Sequence, residues 1–116
     1  MEKLNPFHLA IPVTDIEESK RFYHNLLGAK IGRFSDTWID FDFFGHQLVC
    51  HLSPASISET SNPVDQEDVP IPHYGVVLDW NEFEAIIKQL EEKKINFIIK
   101  PTILKVIFFK IFFSFI

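Results

Sequence analysis

The N-terminal part of the chain combines a short apolar run with a longer helical pattern, which together predict a strand followed by a helix. Residues 7–13 are mostly apolar, as expected of a strand. Thr14 and Glu17 form a capping box, in which each side chain can satisfy the other residue's backbone amide. The helix is expected over residues 15–27, and Gly28 follows it where a positive φ is needed. Its apolar face has helical spacing and comprises Ile16, Phe22, Tyr23, Leu26 and Leu27.

Three strands are predicted after this helix, at residues 29–34, 37–43 and 47–52. The second alternates between apolar and polar residues, so one of its faces is expected to be buried and the other wet. The apolar face comprises Ile39, Phe41 and Phe43, and the polar face Trp38, Asp40 and Asp42. Gly45 and His46 suit a tight turn, which makes the last two strands a hairpin.

A long polar interval follows the hairpin. Residues 53–71 are rich in Ser, Pro, Asp and Glu and show no periodicity. This composition predicts a linker or long loop. Loops of such length inside a small domain usually carry function or join two units.

The pattern of strand and capped helix then begins again. Residues 73–78 form a predicted strand, and Asp79 with Glu82 suits a helix start. The helix is expected to end near Lys94, and a further strand is predicted at residues 95–99. The inward face of the helix is expected to comprise Phe83, Ile86, Ile87 and Leu90.

The C-terminal stretch, residues 103–116, is largely apolar and is interrupted by Lys105 and Lys110. It is shorter than the roughly 20 apolar residues that a membrane-spanning helix needs. Its Ile, Val and Phe content favours a buried terminal strand. The alternative is an altered or truncated end whose exposed apolar surface promotes association.

These elements form an internal repeat. Residues 7–13 resemble residues 72–78, and His8 and His73 hold equivalent places in the two runs. Each run leads to a capped helix and then to a strand. The chain is therefore predicted to be one α+β domain, residues 1–116. Its first module spans about residues 6–52, residues 53–71 are the linker, and the second module spans about residues 72–116.

Composition narrows the classes of partner and compartment. The formal net charge of -5 argues against nucleic acid, because phosphate binding needs a basic surface. Residues 1–6 contain no apolar signal region, and the single Cys50 cannot form an internal disulfide. We therefore expect a cytoplasmic protein that does not bind nucleic acid or a membrane. Cys50 is expected to be packed rather than reactive, and His24 and His46 are expected to be solvated.

Two segments carry a family resemblance. The run His8-Leu9-Ala10-Ile11-Pro12-Val13-Thr14-Asp15, continuing through Ser19, Phe22-Tyr23 and Leu27-Gly28, resembles the opening module of vicinal-oxygen-chelate proteins, the glyoxalase/bleomycin resistance/extradiol dioxygenase superfamily. His73-Tyr74-Gly75-Val76 resembles the start of the second module in that superfamily. The resemblance implies two paired βαβββ modules that form a cup around a divalent metal ion, and a possible homodimer. His8 and His73 match its two imidazole ligands, for iron, manganese, nickel or zinc.

The third ligand expected from the resemblance is a Glu in a G-N-x-x-E-like segment on the last strand. No acidic residue follows Glu92, so this ligand is missing and the second module reads as incomplete. A catalytic metal needs about three protein ligands and one open position. His51 and Gln47, which share a face by alternation, are candidate substitutes, and a second chain could also donate a group.

The resemblance implies a metal-dependent small-molecule enzyme as the leading function. Lyase or isomerase chemistry and ring-cleaving dioxygenase chemistry both stay open, because one scaffold supports both. The alternative classes are a metal-free protein that sequesters a drug-like molecule, and an inactive truncated member. The sequence identifies no catalytic residue beyond the candidate ligands His8, His73 and His51.

Overall fold

The computed structural model describes residues 3–53, 60–64, 66–71, 73–97 and 109–110. The chain divides into two compact units, Met1–Ser56 and Ile57–Phe115. Among the described residues, the first unit contains a four-stranded mixed sheet and one helix, and the second contains a helix and two short two-stranded sheets. The α+β class predicted from the sequence is confirmed. Within the described residues, no helix has the length and apolarity needed to cross a membrane.

The sheet of the first unit has the strand order β1-β4-β3-β2. Its strands are β1 (His8–Val13), β2 (Lys30–Phe34), β3 (Trp38–Phe43) and β4 (His46–Leu52). β1 runs parallel to β4, whereas the other two pairings are antiparallel. The predicted strands are confirmed with shifts of one residue at their ends. The first strand of the chain therefore lies beside the last strand of the hairpin, at an edge of the sheet.

The helix consists of an α-helical turn, α1 (Ile16–Lys20), and a π-helical continuation, Arg21–Leu26. The prediction of Thr14 as the cap is wrong. Asp15 is the N-cap, and its Oδ1 accepts a hydrogen bond from the Glu18 amide at 3.1 Å. Two overlapping boxes exist here, because Thr14 and Asp15 each precede an acidic residue by three positions. The structure uses the second box.

The end of the helix is wider than a regular α-helix. The Leu27 amide donates to the Phe22 carbonyl at 3.0 Å, five residues back, which is the π-helical pattern. The Ala29 amide donates to the Tyr23 carbonyl at 2.9 Å. Gly28 has a φ of 76°, which confirms the prediction of positive φ after the helix. The expectation of one regular helix to residue 27 is wrong in this segment.

The core of the first unit lies between the helix and one face of the sheet. Tyr23 is fully buried, and its ring centroid lies 5.3 Å from that of Phe41 and 5.8 Å from that of Phe43. Aromatic pairs at such distances contribute beyond the apolar area that they bury. The predicted alternation of β3 is confirmed, since Ile39, Phe41 and Phe43 are buried and the residues between them are half-buried or exposed.

The turn of the hairpin lies one residue earlier than predicted. Phe44 and Gly45 both have positive φ, 52° and 84°, as a two-residue turn between twisted antiparallel strands requires. His46 is not a turn residue but the first residue of β4. Asp42 supports the turn, because its Oδ1 accepts a hydrogen bond from the Gly45 amide at 2.8 Å.

Part of the interval predicted as a loop forms a hairpin in the second unit. β5 (Thr60–Val64) pairs antiparallel with β6 (Glu67–Ile71). The expectation of an irregular segment is therefore wrong for these residues. Pro63 and Pro70 argued against strands from the sequence, but a two-stranded ribbon consists of edge strands, which tolerate proline. The predicted module boundaries stay predictions.

The second helix, α2 (Trp80–Glu92), has the predicted cap: the Asp79 Oδ1 accepts a hydrogen bond from the Glu82 amide at 2.8 Å. The strand predicted before it is shorter than expected, since only β7 (Val77–Leu78) is regular. Phe83 and Leu90 are buried and Ile86 and Ile87 half-buried, which confirms the predicted inward face of α2.

The strand predicted at residues 95–99 is absent from residues 95–97, and residues 98–99 lie outside the described part. β8 (Phe109–Lys110) pairs antiparallel with β7. The other residues of the predicted C-terminal strand, 103–108 and 111–116, lie outside the described residues.

Candidate functional site

The face of the four-stranded sheet that points away from the helix carries a set of polar side chains. The strand registers place His8 of β1 beside Gln47 of β4, and Gln47 beside Asp42 of β3. Residues that are paired across strands, or that lie two apart along one strand, share a face. We call this surface the polar face and define it by His8, Asp40, Asp42, Gln47 and His51.

A hydrogen-bond chain connects three of these side chains. Nδ1 of His8 lies 2.8 Å from Oε1 of Gln47, and Nε2 of Gln47 lies 3.3 Å from Oδ2 of Asp40. An ionised carboxylate only accepts hydrogen bonds, so the amide NH₂ of Gln47 must point to Asp40. The Gln47 carbonyl oxygen then points to His8 and, as an acceptor, requires a proton on Nδ1 of His8.

This hydrogen-bond chain determines which nitrogen of His8 is available to a ligand. In the neutral imidazole, a proton on Nδ1 leaves the lone pair on Nε2. His8 is exposed, so Nε2 is accessible to a ligand or a metal ion. Histidine ligands of metals commonly donate their second ring N–H to an oxygen acceptor, which fixes the tautomer and orients the ring. Gln47 supplies such an acceptor, so the geometry suits His8 as a ligand through Nε2.

His51 lies farther along the polar face. It is paired with Pro12 of β1 and Trp38 of β3, four residues beyond Gln47 on β4. Four residues of strand span roughly 13 Å. His51 is exposed, but the structure does not bring its ring next to His8. The role of His51 as a substitute ligand stays a prediction.

His73 belongs to the second unit, where it is exposed. Its predicted convergence with His8 stays a prediction. Among the described residues, no three side chains of His, Cys, Asp and Glu form a group able to hold a metal ion. The polar face therefore contributes one well-oriented imidazole rather than a complete ligand set.

The two histidines predicted to be solvated have structural hydrogen bonds. The Phe7 amide donates to Nδ1 of His46 at 2.8 Å, and the ring centroids of Phe7 and His46 lie 5.8 Å apart. Nδ1 of His24 lies 2.8 Å from the Ala29 carbonyl and must donate to it. His46 thus holds the residue before β1 in place, and His24 stabilises the C-terminal end of the helix. His24 is exposed, as predicted, and His46 is half-buried.

Cys50 lies on the opposite face of β4, packed against the helix, and is completely buried. Burial raises the pKa of its thiol to about 12, although a hydrogen bond with Ser19 acts in the other direction. The thiol is therefore protonated at neutral pH and is a poor nucleophile. The prediction of a packed cysteine is confirmed.

Arg33 lies on the same side of the sheet as the polar face and was not singled out from the sequence. Its guanidinium carbon lies 5.6 Å from the ring centroid of Trp38. Strict alternation along β2 places Arg33 on the helix side, and only a register shift between Ile31 and Phe34 reverses this. Gly32, directly before Arg33, is the one signal in the sequence, because glycine in a strand often marks a bulge.

A separate cavity of about 470 Å³ lies at the start of the helix, on the other side of the sheet. Its lining includes Ile16, Phe34 and Leu52, with Glu17 and Asp36 among its polar residues. Neither His8 nor Gln47 contributes to it. The candidate site is therefore the polar face and not this cavity.

Comparisons with known proteins agree with the resemblance. The model of the Glyoxalase/Bleomycin resistance protein/Dioxygenase superfamily matches residues 5–104. A crystal structure of a glyoxalase/bleomycin resistance protein/dioxygenase from Alicyclobacillus acidocaldarius is 36% identical, with a TM-score of 0.62. The match covers 78% of this chain and 64% of that one, so it spans less than two thirds of that protein's length. A comparison with curated proteins finds no match. The family model matches most of the chain and the sheet has the expected architecture, so this chain belongs to the glyoxalase/bleomycin resistance protein/dioxygenase superfamily.

Proposed function

We propose that the protein is a metal-dependent small-molecule enzyme of the glyoxalase or dioxygenase type, in which Nε2 of His8 binds a divalent ion. The observation that supports this is the hydrogen bond of 2.8 Å between Nδ1 of His8 and Oε1 of Gln47. It leaves the Nε2 lone pair free and restrains the ring. Gln47 is itself oriented by Asp40, so the His8 ring is supported by two hydrogen-bonded residues.

Each residue of the hydrogen-bond chain has a defined role in this proposal. A bound ion of this kind acts as a Lewis acid toward a substrate oxygen. His8 provides the ligand atom, Gln47 fixes its tautomer, and the Asp40 carboxylate fixes the amide orientation of Gln47. His73 is the proposed second imidazole, by its equivalent place in the repeat. The third donor is not assigned, because no three-donor group exists among the described residues.

A second candidate function is metal-free binding of a small molecule, with the polar face as the binding surface. Two observations favour it: no acidic residue follows Glu92, and within the described residues no three potential ligands come together. In this alternative, the exposed His8, Gln47 and His51 serve as hydrogen-bond partners of the bound molecule. A homodimer could complete the site in either case, and we place the protein in the cytoplasm.

A metal titration distinguishes the two functions. The full-length protein, treated with chelator and dialysed, is titrated by calorimetry with Mn²⁺, Ni²⁺, Zn²⁺ and, without oxygen, Fe²⁺. The first proposal predicts saturable binding at one ion per site, weakened at least about tenfold in His8→Gln. His24→Gln is the matched control, because His24 is also an exposed histidine with an engaged Nδ1 but lies on the helix.

Binding that is equal in the wild type and His8→Gln overturns the assignment of His8. An absence of binding for all four metals overturns the enzyme proposal and leaves the metal-free alternative. That alternative predicts that a library of small aromatic and carbonyl compounds shifts the amide resonances of His8, Gln47 and His51 in the presence of chelator. Sedimentation of the same samples measures whether the protein is a monomer or a homodimer.

A further inference from the structure

A bulge in β2 turns one cationic side chain toward the polar face. β2 pairs with β3 through Ile31 and Phe41, and then through Phe34 and Ile39. Two residues of β2, Gly32 and Arg33, therefore lie opposite the single Asp40. An extra residue in one strand shifts all later residues to the opposite face. Arg33 consequently shares the face of Trp38, whereas Phe34 lies on the helix side with Ile39.

The bulge places β2 directly against Asp40 of β3. A Cβ at residue 32 would lie 3.4 Å from the Asp40 Cβ, which is an ordinary van der Waals contact. The position of Arg33 is a consequence of the backbone and not of a flexible side chain alone.

Arg33 rests against an aromatic surface. The guanidinium carbon lies 5.6 Å from the centroid of the Trp38 ring, within the range of cation–π contacts. Arg33 is exposed, and among the described residues no carboxylate forms an ion pair with it. A guanidinium held in this way presents a planar fork that matches a carboxylate or similar oxyanion.

The carboxylates of the polar face have other hydrogen-bond partners. Asp40 accepts a hydrogen bond from Gln47, and Asp42 accepts one from the Gly45 amide. Both keep their negative charge, and Asp40 lies opposite Arg33 across the strands, but among the described residues neither forms an ion pair with the guanidinium. Trp38 is half-buried, so the stack also offers an apolar surface next to the charge.

We infer that Arg33 and Trp38 form an anion subsite, which binds the carboxylate of a small organic ligand on the polar face. This rests on the proposed function, because it assigns a class of ligand to the same face. Trp38 is paired with His51, four residues along β4 from Gln47. The anion subsite lies roughly 13 Å from the level of His8 along the strands, and Arg33 on β2 lies at the opposite edge of the sheet from His8 on β1, three strand spacings or roughly 14 Å across. The ligand that engages both groups is elongated, with an oxygen-bearing end at His8 and an acidic end at Arg33.

Benzoate and its neutral counterpart benzamide test the subsite without knowledge of the natural ligand. The chain has two tryptophans, so Trp80→Phe leaves Trp38 as the only indole reporter. Both probes are titrated into the full-length Trp80→Phe protein in chelator, with Trp38 fluorescence and calorimetry as readouts. We expect benzoate to bind about tenfold more tightly than benzamide, and its affinity to fall as salt is raised.

The same titrations on variants separate a binding role from a structural one. Arg33→Gln should lose the preference for benzoate, and Arg33→Lys should keep part of it, because charge remains but the fork is lost. Arg21→Gln is the matched control, as an exposed arginine on the helix. Far-UV circular dichroism checks folding, and Arg33→Lys serves if Arg33→Gln unfolds.

Equal binding of the two probes, no binding of benzoate, or an unchanged preference in Arg33→Gln overturns the subsite. The metal titration is carried out without benzoate, and the benzoate titration without metal. Failure of the anion subsite is therefore distinguishable from failure of the proposed metal function.

Discussion

His8 and Gln47 are 39 positions apart in the chain but lie side by side on the parallel strands β1 and β4, joined by a hydrogen bond of 2.8 Å. Because Asp40 fixes the orientation of the Gln47 amide, the bond also fixes which nitrogen of His8 carries the proton. Asp40, Gln47 and His8 thus form one hydrogen-bonded chain that spans three strands and leaves Nε2 of His8 open.

Gln47→Leu removes the acceptor for His8 while it keeps a side chain of similar size. If His8 is a metal ligand, we expect metal affinity to fall by roughly 10- to 100-fold, as for other supporting groups of metal sites. The measurement is the calorimetric titration described above.

The double variant Gln47→Glu with Asp40→Asn provides the control for this substitution. It keeps an acceptor for Nδ1–H of His8 and a donor–acceptor pair between β3 and β4, since Asn can donate to a carboxylate. Carboxylates serve as this acceptor in many histidine–metal sites, so its metal affinity should stay at or above the wild-type value. A loss as large as that of Gln47→Leu, with folding intact, would assign the effect to altered packing instead of His8 orientation.

The helix cap gives a prediction about stability. Asp15→Ala should lower the free energy of unfolding by about 1 kcal/mol, because the Glu18 amide loses its acceptor. Thr14→Ala should change it by less than about 0.5 kcal/mol, as expected of a surface residue with no capping bond. Urea unfolding measures both. A larger loss for Thr14→Ala than for Asp15→Ala would show that the first capping box is used in solution.

Burial of Cys50 predicts slow modification and a specific alkaline destabilisation. Its pKa rises from 9.0 in the unfolded chain to about 12 in the folded protein. As pH rises from 9, the unfolded chain loses the thiol proton first, so this contribution to the free energy of unfolding declines between about pH 9 and 12 and is constant below. Cys50→Ala should lack this component.

The modification experiment uses a disulfide reagent at neutral pH. We expect the thiol to react with Ellman's reagent slowly in the native protein and at once in denaturant, since the thiolate is the nucleophile. Rapid stoichiometric reaction of the native protein would contradict the buried position of Cys50.

Substitution of Gly28 is predicted to lower the free energy of unfolding through the backbone conformation alone. Its φ is 76°, and a Cβ added there would meet no atom within 4 Å. Gly28→Ala should therefore destabilise the protein by about 1 kcal/mol, from the left-handed conformation without any steric clash. Gly28→Asn should cost less, because asparagine tolerates this region better. Thermal unfolding of both variants measures the difference, and equal stability of Gly28→Ala and wild type would argue for another backbone conformation.

Local patterns predicted much of the first unit. The alternation of β3 and the apolar helix face were readable because each element buries one side against the other, as Tyr23 and Phe41 do. The N-cap residue of the first helix was not predictable, because Thr14 and Asp15 are both suitable caps and each is followed by a Glu three positions later. The hairpin of β5 and β6 was missed since Pro63 and Pro70 have the composition of a loop.

The candidate site was only partly predictable. His8 was found through the repeat, but its bond to Gln47 depends on the register of two strands that are distant in sequence. Arg33 was missed because a bulge, and not the alternation, determines its face. The His8–Gln47 bond and the face of Arg33 both depend on pairing between strands, which a local sequence pattern does not predict.

The tautomer and metal response of His8 test the central claim most directly. Long-range ¹H–¹⁵N correlation spectra of protein labelled with ¹⁵N-histidine resolve the five imidazoles, and His8→Gln assigns the signal. We expect the Nδ1–H form without metal, and a shift of Nε2 with Nδ1–H retained when Zn²⁺ is added. An Nε2–H form without metal, or a His8 signal unchanged at saturating Zn²⁺, would contradict the account.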